Sequence, residues 1–177
     1  MTETSATTSA AGTQVRDLPI EPLTAEAFAP FGTVIAAGED GAPFGPGDAQ
    51  LVLSQGTPRF YIMRIPGRGL TIGGITRHRL VTQALASVGG EPWVVAVAPP
   101  KAVEDAAAEP ALADIRAFRI PGDVAVMLHC GAWHAGPLFP EGELRSFFNL
   151  ELADTNVVDH QTCLLTDIYG TALRLVG

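Results

Sequence analysis

Seven short apolar runs follow one another between Arg59 and Leu152: RFYIMRIP, LTIGGITRH, TQALASV, WVVAVAPP, IRAFRIP, DVAVMLHC and RSFFNLEL. Turn residues separate most of them, and the repeat of about ten residues is that of a sandwich or barrel. It leaves no room for the helical crossovers of a parallel βαβ sheet. The expected fold is therefore mainly β, an antiparallel barrel with a few short helices.

The flanking segments add detail to this frame. Residues 1–16 are rich in Ser, Thr, Ala and Gly without periodicity, and read as a flexible N-terminal extension before a single domain at 17–177. In LPIEPLTAEAFAPFGTVI, Thr24 is a helix N-cap with Glu26 in the first turn, and Pro30 and Gly32 bound the short helix. Residues 38–50 are a loop by composition. The Ala-rich segment KAVEDAAAEPALAD is a second helix candidate, interrupted at Pro110.

Charge narrows the function classes. The formal net charge is −8, the opposite of the basic footprint that nucleic acid or an anionic membrane surface selects. Lys101 is the only lysine, so recognition of an anion falls to the arginines. The two cysteines are too few for a disulfide framework. The N-terminus lacks the pattern of a signal peptide, and no apolar run is of membrane-spanning length. A cytoplasmic protein is the expectation.

Polar residues that interrupt the apolar runs are the candidates for chemistry. His78 and Gln83 lie five positions apart in ITRHRLVTQA. On alternating strands both can face one cavity across a bend, or His78 can sit at the rim with Gln83 in solvent. His129 and His134 are also five apart, which matches neither a zinc-binding helix pair nor one face of one strand. A bend at Gly131 would turn His134 inward. The alternative has both rings capping backbone groups while Trp133 packs as an ordinary hydrophobe. Cys130 points away from its neighbour His129 in a strand and reads as an inert thiol. Arg59, beside Tyr61, offers a fork for a carboxylate or is simply an exposed strand end. Glu151 is either inward and functional or on the outer face of its strand.

Two of these stretches resemble cupin motifs. GDVAVMLHCGAWHAGPLF is similar to the second motif, P-x-G-x-x-H, with His129 in the proline slot. Thr76-x-His78-x4-Gln83 is similar to the first, H-x-H-x4-E, with one of its two histidines. More specifically, PLTAEAFAPFGTVI, RHRLVTQA, HCGAWHAGPLF and FFNLEL resemble, in order, segments of the ureidoglycolate lyase family. The departures are Arg79 for a proline, Glu151 for an aspartate, Leu152 for an arginine, Thr76 where glutamate is frequent, and Ala135-Gly136 inserted before PLF.

The resemblance implies a cupin-like barrel (double-stranded β-helix) and a carbon–nitrogen lyase of the amidine-lyase type. The reaction would cleave ureidoglycolate to glyoxylate and urea, a step of allantoin and purine nitrogen catabolism. His78, His134 and Gln83 would be the catalytic group, with Gln83 on the ureido moiety. Arg59 would hold the substrate carboxylate, with His129, Trp133 and Glu151 in supporting contact. The implied partners are a small anionic substrate and a second copy of the chain. No metal is expected to be obligatory. His78, Gln83 and His134, with Thr76 fourth, overlay cupin ligand positions, but glutamine is a weak ligand and a divalent metal there is the lesser alternative. The departures keep two rival expectations open: a related cupin enzyme for another small carboxylated substrate, or a non-catalytic metabolite-binding barrel.

Overall fold

A computed structural model describes residues 12–177. Strand β1 (Gln14–Pro22), helix α1 (Ala25–Phe28) and β2 (Gly32–Ile35) open the domain. There follow β3 (Pro58–Pro66), β4 (Thr71–Ile72), β5 (Gly74–Arg77), β6 (Gln83–Ser87) and β7 (Trp93–Ala98). Beyond a long loop come β8 (Arg116–Ile120), β9 (Ala125–Leu128), β10 (Trp133–Leu138) and β11 (Leu144–Leu152). Helix α2 (Thr155–Val158), β12 (Gln161–Leu164), α3 (Leu165–Tyr169) and β13 (Thr171–Val176) complete the chain.

Eight strands form one sheet in the order β12-β5-β10-β7-β8-β1-β13-β4, and five form a second, β2-β9-β6-β11-β3. The two are a mainly-β, cupin-like arrangement with a shared core. Val95 and Val97 of β7 and Phe118 and Ile120 of β8 pack toward Leu85, Val126, Leu128 and Phe147 of the smaller sheet. The back of the larger sheet carries a second apolar layer, in which Val94, Ala96 and Ala98 meet Trp133, Leu173, Leu175 and Leu165 of α3. Strand β7 is thus buried on both faces, which explains its unbroken WVVAVA in place of alternation. Among the described residues no helix is long and apolar enough to cross a membrane.

The short helix near the start forms as expected, with the Thr24 hydroxyl accepting from the Ala27 amide at 3.1 Å. Three expectations are corrected. Residues 14–16, assigned to the flexible extension, are the first turnless stretch of β1 and pair in parallel with Thr171–Leu173 of β13; residues 1–11 of that extension lie outside the described residues. The sheet is not wholly antiparallel, because β1 fills the gap between β8 and β13 and runs parallel to both. An N-terminal strand has no hairpin partner to fix its direction, and in that slot it satisfies two strand edges at once.

The third correction is the Ala-rich segment, which forms turns and a single 3-10 turn at Leu112–Asp114 rather than a helix. Its carbonyls are taken by side chains instead. Buried Arg77 donates to the carbonyls of Lys101 (3.1 Å) and Asp105 (2.6 Å). Arg79 reaches Val103 and Glu104, and Gln161 reaches Ala106 and Ala108. A helix would need most of those acceptors for its own ladder.

Candidate active site

A cavity of about 430 Å³ opens where β5 and β10 of the larger sheet face β3, β6 and β11 of the smaller one. Its polar lining includes His78, His134, His160, Gln83, Asn149 and Arg68. Two links bring the two motif stretches together. The Gly131 amide donates to the His78 carbonyl, and His134 lies opposite Thr76 across the β5–β10 ladder. Gly131 has φ +79°, and a Cβ there would stand 2.6 Å from the Val103 side chain, so both backbone shape and space require glycine.

The His78 and His134 rings are 5.2 Å apart, centre to centre, and both are buried. The Nδ1 of His78 lies 2.6 Å from the Asp159 carbonyl, and the Nδ1 of His134 lies 3.2 Å from the Ala132 carbonyl. A carbonyl only accepts, so each Nδ1 carries the proton and each neutral ring keeps its lone pair on Nε2. Burial pushes the His134 pKa down to about 3, helped by the neighbouring His78 and His160. Burial also lowers His78, but there the Asp159 carbonyl and the Asp159 and Glu151 charges work in the opposite sense.

A hydrogen-bond network sets the facing wall. Buried Glu151 accepts from the Tyr61 hydroxyl (3.0 Å) and from Gln83 Nε2 (3.0 Å). Gln83 Nε2 also donates to Asn149 Oδ1 (3.2 Å), and Asn149 Nδ2 donates to the Tyr61 oxygen (3.0 Å). With both amide hydrogens of Gln83 engaged, its Oε1 is the atom left for the cavity. Burial, then the bond to Glu151, raises the Tyr61 pKa and keeps the phenol protonated. The site thus presents three acceptors together, the two Nε2 lone pairs and Gln83 Oε1. Among the described residues no group of three His, Cys, Asp or Glu side chains is set to hold a metal ion.

His78, His134 and Gln83 therefore come together as expected, and Glu151 lies inward behind Gln83. Glu151 itself is not among the residues that line the cavity, and neither are Trp133, His129 and Arg59. Trp133 precedes His134 on β10 and faces the opposite side of the sheet, where the Arg77 guanidinium stacks on it at 4.6 Å. His129 follows the inward Leu128 and turns outward, its Nε2 against the Ala29 carbonyl at 3.3 Å. Arg59 lies over the Tyr61 ring at 3.8 Å, outside the cavity lining. Cys130 is a half-buried thiol whose pKa burial raises, consistent with an inert group.

His160, Asn149 and Arg68 belong to the lining and were not among the expected site residues. Asn149 had a signal: it is two residues before Glu151 on β11 and must share its face. Scarcity pointed to His160, since the chain has only four histidines. Arg68 sits in the PGRGL turn between β3 and β4, where no periodicity indicates direction.

Comparison with known proteins agrees with this geometry. A family model described as ureidoglycolate lyase matches residues 45–169, which contain every lining residue named above. Proteins named ureidoglycolate lyase from Pseudomonas putida (strain W619) and Pseudomonas entomophila (strain L48) are each 36% identical over 139 residues. These alignments cover 68% of this chain and 75% of each relative. One from Pseudomonas syringae pv. syringae (strain B728a) is 36% identical over 132 residues, covering 68% and 74%. With the family model spanning most of the chain and the cavity falling inside the match, this protein belongs to the ureidoglycolate lyase family.

Proposed function

We propose that the chain acts in the cytoplasm as a lyase that cleaves ureidoglycolate to glyoxylate and urea by acid/base catalysis. The observation that carries this reading is the cluster of three acceptors, His78 Nε2, His134 Nε2 and Gln83 Oε1, in one small cavity. Ureidoglycolate is rich in donors at the reacting carbon, with one hydroxyl and the ureido N–H groups beside it. His78 is the base for the hydroxyl proton, because two nearby carboxylates support the positive charge it acquires. His134, held neutral, accepts from a ureido N–H, as does Gln83. Arg68 replaces Arg59 as the group that binds the substrate carboxylate, since it is the arginine in the cavity lining.

No step requires a metal or redox cofactor, and the reading has none as obligatory. The test is an assay of urea and glyoxylate release by the wild type after exhaustive chelation, alongside Arg68→Ala. Turnover is expected to survive chelation. The Arg68 variant is expected to raise KM by about 10–100-fold, the loss of one charge-assisted fork worth about 1.5–3 kcal/mol. A chelated protein that releases no urea until a divalent metal is restored would overturn the metal-free mechanism. Unchanged KM in the variant would remove Arg68 from the site.

A homodimer joined through the outer face of β3 and β11 is part of the same reading. Phe60 and Ile62 are 68% and 55% exposed, and Phe60 stacks on Phe148 of β11 with ring centres 5.7 Å apart. Strand β3 is a nine-residue edge paired on one side only, and with Phe60 and Ile62 exposed on it such an edge suits a second copy. Sedimentation of Phe60→Asp is expected to show monomers under conditions in which the wild type is dimeric. A variant that still sediments as a dimer would place the interface elsewhere.

A further inference from the structure

Cleavage of the carbon–nitrogen bond needs a proton for the departing nitrogen as well as a base for the hydroxyl, and most donors of this cavity are already committed. The Nδ1–H groups of His78 and His134 are held by the Asp159 and Ala132 carbonyls. Gln83 gives its amide hydrogens to Asn149 and Glu151, and Asn149 donates to the Tyr61 oxygen and toward the Met63 sulfur. The Tyr61 hydroxyl donates to Glu151. Arg68 donates hydrogen bonds but does not surrender a proton near neutrality.

We propose that His160 is a third catalytic histidine, the general acid that protonates the leaving urea nitrogen, a role that rests on the lyase reading above. Its ring centre is 5.6 Å from that of His78, it lines the same cavity, and no hydrogen bond engages its ring among the described residues. It is exposed at the rim, so it can reload with a proton from solvent after each turnover. Its position is fixed by the residue before it. The Asp159 carboxylate accepts from the Arg79 and Leu80 amides at 2.8 and 2.7 Å, while the Asp159 carbonyl holds the His78 ring. One residue thereby holds the His78 ring and is followed in the chain by the His160 ring, 5.6 Å from it centre to centre.

The step balances without a co-reactant. His78 Nε2 takes the hydroxyl proton, and the O–H electron pair becomes the second bond of the glyoxylate carbonyl. The carbon–nitrogen bond breaks with its electron pair on the ureido nitrogen, and the His160 imidazolium supplies the proton that completes urea. His78 then returns its proton to solvent, and His160 regains one.

The test compares His160→Ala and His160→Gln with wild type on two substrates. These are ureidoglycolate and N-trifluoroacetyl-α-hydroxyglycine, whose more acidic amide leaves without needing protonation. Both variants are expected to lose about 10²–10³-fold in kcat on ureidoglycolate, in the range for one general acid. The loss is expected to shrink below about tenfold on the activated substrate, and added imidazole is expected to restore part of the His160→Ala rate. Wild-type kcat in both variants, or an equal loss on both substrates, would overturn the proposal. Failure of the wild type itself to release urea would instead overturn the lyase reading.

Discussion

Replacing His78 by alanine is expected to lower kcat for ureidoglycolate cleavage by about 10²–10⁴-fold, the contribution of one positioned general base. His134→Ala is expected to fall in the lower part of that range and to raise KM as well, because the neutral His134 ring accepts from a substrate donor at Nε2 without taking up its proton. The distinction comes from their surroundings. Both rings expose Nε2 to the cavity, but carboxylates support charge on His78, whereas His134 has two histidines for neighbours. Urea and glyoxylate are measured together over a range of substrate concentrations, and circular dichroism checks that each variant is folded. Near-wild-type kcat/KM in both folded variants would sink the assignment of this cavity as the active site.

Acidification is expected to destabilise the fold through His134. Its pKa in the folded protein is about 3, against roughly 6.5 for histidine in an unfolded chain. Between those values the unfolded state binds the extra proton, so stability rises with pH across the window and is fully present above its upper end. Lowering the pH from 7.5 to 5.0 covers 1.5 units of the window below ~6.5 and should cost about 2 kcal/mol from this ring alone. His78 shifts in the same direction and adds to the loss. Urea denaturation of wild type and His134→Gln at the two pH values isolates the effect, since glutamine does not titrate. The variant is expected to lose about 2 kcal/mol less than wild type over that interval. Equal losses would show that the ring is not held neutral by burial.

The strands easiest to read from sequence are those with a simple pattern. Residues 145–152 alternate as a half-buried strand should, with Phe147, Asn149 and Glu151 buried on one face. Residues 93–98 form an unbroken apolar run and are buried on both faces. Strands β1, β2, β10, β12 and β13 fall outside the segments read as strands. Proline, glycine or charge interrupts β1, β2, β10 and β13, and β12 is a four-residue QTCL without a strand pattern; long-range pairing holds all five in place of local propensity. The Ala-rich loop shows the converse. Its composition favours a helix, but Arg77, Arg79 and Gln161, all from distant strands or their ends, capture its carbonyls.

The candidate site divides along the same line. Local alternation determined that Glu151 shares a face with Asn149, because that depends on near neighbours in the chain, whereas only the family resemblance grouped His78 and Gln83 with His134, 51 positions beyond Gln83. Only the tertiary structure decided which arginine enters the cavity, which way His129 and Trp133 face, and that His160 joins the other two rings. Those outcomes depend on turns at Gly67, Gly131 and Asp159, which redirect the chain through contacts with Pro140, Val103 and the Arg79–Leu80 amides. Such partners lie tens of residues away in sequence, and no periodicity within a strand reports on them.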